Sequence, residues 1–112
     1  MTKFNMMTAN VTGKMKVNAL TADTLQNAIG TDLPVKAVAI AEKTDEETGE
    51  IKTVGYIWTE SGECFSTISE TAMDSIEAIY ELLEENPDEK ITAMPEMRKS
   101  KGGRDFIVLP IR

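Results

Sequence analysis

The sequence has no histidine and a single cysteine, Cys64, in 112 residues. Zinc sites draw their ligands mainly from Cys and His, and imidazole is the commonest acid–base group. Neither zinc nor His-based catalysis is therefore expected. One cysteine builds no internal disulfide framework and fits a reducing compartment. Cys64 itself reads as a small half-buried strand residue. Long apolar runs are missing too: nothing approaches the ~18 residues of a membrane span, and the N-terminus lacks the basic-then-apolar layout of a secretory signal. The expectation is a cytoplasmic protein with no membrane partner. Catalytic signatures are also absent: no G-x-x-x-x-G-K-[ST] to cradle phosphate, no G-x-S-x-G and no H-E-x-x-H. Neither an enzyme nor a cofactor is expected. Carboxylates are plentiful, but in exposed runs that read as solvated faces.

What is present is enough for one domain over residues 1–112, with a core that needs no staples. The net charge of −7 argues against nucleic acid as a total, but its distribution does not. Glu42, Asp45, Glu46, Glu47 and Glu50 crowd one loop. Glu70, Asp74, Glu77, Glu81, Glu84, Glu85, Asp88 and Glu89 crowd one helix and its exit. The basic residues lie elsewhere, Lys14 and Lys16 early, Arg98, Lys99, Lys101 and Arg104 late.

The chain is organised around Gly62 to Leu83. A turn at Ser61-Gly62 leads into a short strand carrying Phe65 and Ile68, and Ser69 or Thr71 caps a helix. Ala72, Met73, Ile76, Ile79, Tyr80 and Leu83 recur every three or four residues, which puts them on one helical face. The remaining surface is acidic, with no basic residue four positions away, so packing must hold this helix. Asn86-Pro87-Asp88 ends it.

Residues 1–10 read as a loose arm, with Phe4 tucked down. Val11 to Ala19 alternate with period two and read as a strand with Lys14 and Lys16 on its outer face. Thr21 to Ile29 form a helical turn capped by Thr21 and stopped at Gly30. Val35 to Lys43 is a strand of undecided core face, with Val35, Ala37, Ala39 and Ala41 on one side. Thr44 to Gly49 is a charged hairpin tip. Along Glu50 to Thr59, Ile51, Gly55 and Ile57 share one face, and Lys52, Val54, Tyr56 and Trp58 the other. Lys90 to Lys99 is an edge or bulged strand, because Pro95 cannot donate to a ladder. Ser100-Lys101-Gly102-Gly103 is a turn, with Gly103 at positive φ, and Arg104 to Ile111 closes the chain. The order reads as three strands, one helix, two strands. That is mainly β, an OB-fold-like five-stranded, partly open barrel with one helix between strands 3 and 4.

The binding signal lies on outer strand faces. Lys14 and Lys16, then Lys52, Tyr56 and Trp58, then Arg104 and Phe106 project away from the aliphatic sets. Rings stack on unpaired bases whatever their sequence, and cations follow phosphates. Lys101 and Arg104 at the last hairpin tip add basic contacts. The competing reading is cross-strand packing for Tyr56, Trp58 and above all Phe65, and simple solubility for the hairpin cations.

From Leu33 onward the sequence resembles the single-stranded DNA-binding proteins of phi29-like bacteriophages. The matching pieces are Leu33-Pro34, Ala37-Val-Ala-Ile-Ala-Glu42, Gly62…Phe65-Ser-Thr-Ile-Ser-Glu-Thr71, Ile76…Ile79…Leu82-Leu83, and Ser100-Lys-Gly-Gly…Phe106…Leu109…Ile111. They occur in the family's order over about two-thirds of the chain, and the first 32 residues lie outside the resemblance. It implies a non-enzymatic, sequence-independent protein with an OB-type fold. Such a protein coats displaced strands during protein-primed phage replication in the host cytoplasm. The family places a tyrosine linked to strand binding where Phe65 stands, and another near Lys43. The expected DNA-binding set is Lys14, Lys16, Lys52, Tyr56, Trp58, Phe65, Lys101, Arg104 and Phe106. Expected partners are single-stranded DNA and phage replication proteins, with the chain a monomer or weak homo-oligomer. Two rival functions use other features: an acidic DNA-mimic anti-defence inhibitor acting through the helix, and a module that recruits replication partners.

Overall fold

The computed structural model describes residues 2–111. Its centre is a pair of long antiparallel strands, β3 (Leu33–Thr44) and β4 (Ile51–Thr59), with Lys43 opposite Lys52 and Ala39 opposite Tyr56. β5 (Cys64–Thr67) runs antiparallel to β4, and the two-residue β2 (Asp23–Thr24) adds in parallel to β5. Along the other edge of β3 lie β1 (Thr2–Met7) and then β6 (Ile91–Ala93). β7 (Glu96–Lys99) and β8 (Asp105–Val108) form a separate hairpin.

Two helices cover this sheet from opposite sides. α2 (Glu70–Glu85) starts at Ser69, whose Oγ accepts from Ala72 N at 3.3 Å and donates to Ile107 O at 2.7 Å. The cap contributes about 1 kcal/mol, and the second bond ties the helix to β8. Ala72, Met73, Ile76, Ile79 and Leu83 are buried, as their spacing requires. On this side the core joins Leu33, Val35, Val38, Ile57, Phe65 and Leu109 to the helix. α1 (Gly13–Ala19) covers the other side with Met15 and Ala19, over Ala37, Ala39, Ala41, Val54, Tyr56 and Trp58.

A bulge in β3 between Val35 and Ala37 lets one strand serve both cores. The extra residue turns Val35 toward α2 and Ala37 toward α1. Strict alternation grouped the two on one face, and the bulge corrects that. In β4 the parity holds: Ile57 faces α2, and Val54, Tyr56 and Trp58 face α1. Gly55 leaves room for α2, since a Cβ there would stand 2.6 Å from Ile76 Cδ1.

The mainly β class stands, and the barrel does not. The six-stranded sheet ends at β1 and β2, which do not pair with each other among the described residues. With a helix on each side, the centre of both faces is already covered without closing the sheet on itself. α2 follows the fifth strand rather than the third, because two short N-terminal strands precede it. Residues 2–7 of the expected arm are strand β1, with Phe4 against the core as foreseen. Within the stretch Val11 to Ala19 the expected strand gives way to the helix Gly13–Ala19, entered through Thr12, whose side chain accepts from Met15 N. Met15 and Ala19, four apart, are its buried pair, and this spacing wins over the apparent alternation. The turn after it is a 3₁₀ segment, Leu25–Ala28, capped by Thr24 rather than Thr21. Near Pro95 the ladder breaks, separating β6 from β7. No helix among the described residues is long and apolar enough to cross a membrane.

Candidate nucleic-acid interface

On the α1 side the sheet carries a row of rings. Phe4 and Tyr56 have centroids 5.9 Å apart, and Tyr56 and Trp58 6.0 Å, all tilted. β1 brings Phe4 beside Ala41, one strand away from Val54. Phe4 is half-buried, but Tyr56 and Trp58 are 0% and 2% exposed. Trp58 Nε1 donates to Met15 O at 3.0 Å, which anchors α1. The outward, accessible placement expected for Tyr56 and Trp58 is therefore corrected. Their face is the opposite one from Ile57, as read, but α1 covers it. Phe65 is likewise 8% exposed, packed in the α2-side core. The Tyr56 hydroxyl is buried without a hydrogen-bond partner among the described residues, so the ring is held by packing.

Cations stand over these rings. Lys16 Nζ lies 5.9 Å from the Phe4 centroid, and Lys43 Nζ 5.8 Å from that of Tyr56. Each such contact is worth about 0.5–1 kcal/mol at an accessible site. Lys52 is exposed opposite Lys43 in the ladder. Lys14 is exposed on α1, two residues and so about 200° around the helix from Lys16, and both early lysines sit on a helix rather than a strand. Among the described residues, the ion pairs join Lys90 to Glu60 and Arg98 to Glu96. Lys14, Lys16, Lys43 and Lys52 thus meet no carboxylate at that range. Lys43 and Lys52 face each other, a pairing unfavourable in isolation, immediately beside the acidic β3–β4 tip of Asp45, Glu46, Glu47 and Glu50.

The second basic group is the β7–β8 hairpin. Lys101 and Arg104 are exposed at its tip, and Phe106 is half-buried opposite Arg98. Ser100 closes the tip: its N–H donates to Arg104 O at 2.9 Å and its Oγ accepts from Arg104 N at 3.2 Å. Gly103 has φ 79°, as the turn chemistry requires. Because β5 runs antiparallel to β4, its exit into α2 lies at the Lys52 end of the sheet, and Ser69 fastens β8 there. The acidic residues Glu77, Glu81, Glu84 and Glu85 are exposed on α2, across the sheet from the rings.

Two participants escaped sequence reasoning, Phe4 as a ring of the cluster and Ile68, which is 73% exposed; Lys43, singled out only through the resemblance, is the cluster's second cation. Strand parity held a signal for Ile68, since Phe65 and Ile68 are three apart and fall on opposite faces. Cys64 is half-buried, and burial pushes its thiol up to about 12, so it is no nucleophile.

A family model described as phage single-stranded DNA-binding protein, of phi29 type, matches residues 2–112. The match takes in residues 2–32, where the sequence pieces showed no likeness. Comparisons with curated proteins and with solved structures find no match. With the family model spanning all but the first residue, the chain belongs to the phi29-type phage single-stranded DNA-binding proteins, binding single-stranded DNA in phage replication.

Proposed function

We propose that the protein coats displaced single strands without requiring a defined sequence, and that the strand follows two groups of cations around one end of the sheet. Lys14, Lys16, Lys43 and Lys52 take phosphates on the α1 side, with Phe4 as the accessible ring. Lys101 and Arg104 take them at the β7–β8 hairpin, with Phe106 beside them. Tyr56, Trp58 and Phe65 act from beneath: the first two carry Phe4 and Lys43, and Phe65 supports the β5–α2 junction. The carrying observation is the pair of lysines over the Phe4–Tyr56 rings, in no ion pair among the described residues of a chain of net charge −7. The acidic face of α2 points away and would keep neighbouring copies from collapsing onto the strand. The protein works as a monomer or weak homo-oligomer, without catalysis, alongside other replication proteins. A gel-shift titration with single-stranded and duplex oligonucleotides of one length tests the reading. Tighter binding of the single strand is expected, and equal or weaker binding would refute it.

A further inference from the structure

The β7–β8 hairpin and the turn from β5 into α2 enclose a groove of about 620 Å³. One wall is Ile68, an aliphatic side chain left 73% exposed between a strand and a helix cap. The other carries Phe106, with Met97, 39% exposed, nearby. A second hollow shares Ile68, Thr71 and Phe106 and opens toward Arg104 and Ser100 at the hairpin tip. Glu70 and Asp105 line both. Neither carboxylate joins an ion pair among the described residues.

Charge decides which part of a nucleotide this groove admits. A phosphate entering it would meet two carboxylates, whereas at the rim it meets Arg104. A base has no net charge. It offers a π-face to Phe106 and, depending on its identity, amino hydrogens to the carboxylates. We propose that the groove takes one unstacked base of a bound strand, against Phe106 and Ile68, and that Glu70 and Asp105 make it favour cytosine over thymine. Cytosine N4 is a donor that a carboxylate accepts, while thymine presents the acceptor O4 in its place, which a carboxylate repels. The groove rests on the reading of this chain as a single-strand binder and adds a bias in base composition to a coat that needs no defined sequence.

Anisotropy titrations with labelled oligo(dC) and oligo(dT), equal in length and at one salt concentration and pH 8, test it. The parent protein binds oligo(dC) more tightly. Glu70→Gln combined with Asp105→Asn brings the two affinities together, because a carboxamide donates to thymine O4 as readily as it accepts from cytosine N4. Phe106→Leu keeps an apolar side chain and loses the ring, and weakens binding of both about fivefold or more. Ile68→Ala, at an exposed position where folding is not at stake, weakens both as well and decides the matter if Phe106→Leu melts early. Equal affinity of the parent for both oligonucleotides, or parental binding by Ile68→Ala, overturns the groove while single-strand binding stands. Loss of the single-strand preference over duplex in the parent overturns both.

Discussion

Trp58 is the only tryptophan, so its emission reports one place in the molecule. Its indole is 2% exposed, stacked near Tyr56 and covered by α1 through the bond from Nε1 to Met15 O. Two consequences follow. Emission should be blue-shifted in the free protein and should not be quenched by oligo(dT), since no base can reach the ring. Trp58→Ala should destabilise by about 3–5 kcal/mol, the cost of emptying a core site of this size. That is a large share of the roughly 5–15 kcal/mol that holds a domain together. Trp58→Phe keeps most of the packing and loses the bond to Met15 O, which costs about 1 kcal/mol, plus a smaller cavity term. At this chain length each kcal/mol lowers Tm by roughly 4–8 °C. The assay is urea unfolding followed by far-ultraviolet circular dichroism, with the Kd for single strand measured beside it. Trp58→Phe should unfold earlier and, below its transition, bind with parental affinity. Saturable quenching by oligo(dT), or a loss of affinity of roughly 1–3 kcal/mol with no change in stability, would refute the buried assignment and restore direct base stacking.

Tyr56→Phe should be neutral or slightly stabilising in the same unfolding assay and leave affinity unchanged, because it removes a buried hydroxyl that has no partner among the described residues. Lys43→Ala, Lys52→Ala, Lys101→Ala and Arg104→Ala should each lower the salt dependence of single-strand affinity by roughly 0.7 in logarithmic slope, and Glu77→Ala and Glu81→Ala should lower neither slope nor affinity. Unchanged slopes in all four cationic variants would move the strand elsewhere. Gly103→Val forces a β-branched residue to φ 79°. It should destabilise by about 1–3 kcal/mol and weaken binding with it, and an unaffected melt would contradict the turn. With its thiol pushed up to about 12 from 9.0 by burial, Cys64 should react slowly with iodoacetamide at pH 8 and rapidly in urea. Only the unfolded chain ionises this thiol between those values. Its contribution to stability is therefore complete below pH 9 and declines as pH rises toward 12, and a linear loss of stability starting well below pH 9 would point to another group.

Local chemistry made α2 and the last hairpin legible. Ser69, one of two candidate caps, supplies the cap, Ala72 to Leu83 the stripe, Asn86-Pro87 the stop, and Gly103 the residue suited to its φ. Each is a local signal, while the helix also relies on its packed face and on the bond from Ser69 to Ile107 O. The existence of β3 and β4, the parity of β4 and the break at Pro95 were legible for the same reason, being consequences of side-chain period and a missing donor. Short elements were not. Thr2 to Met7 is a strand because the edge of β3 was free to pair with it. Gly13 to Ala19 is a helix because Met15 and Ala19 find the alanine face of β3, and seven residues carry too little periodicity to decide between 2.0 and 3.6.

The candidate site divides along the same line. Alternation correctly placed Lys52, Val54, Tyr56 and Trp58 on one face, but a period says which side chains agree, never whether a face is open. α1 covers that face, so the rings went inside while Lys52 and Lys43, at the sheet's end beyond its cover, stayed accessible. The meeting of Lys43 with Lys52, and of Phe4 with Tyr56, is a matter of strand register between segments far apart in the chain. Sequence determined that this is a β-rich chain of phi29-type phage character with cations segregated from its acidic helix. Which cations come together, and which rings the solvent can reach, was decided only when a bulge, a short strand and a seven-residue helix packed around β3.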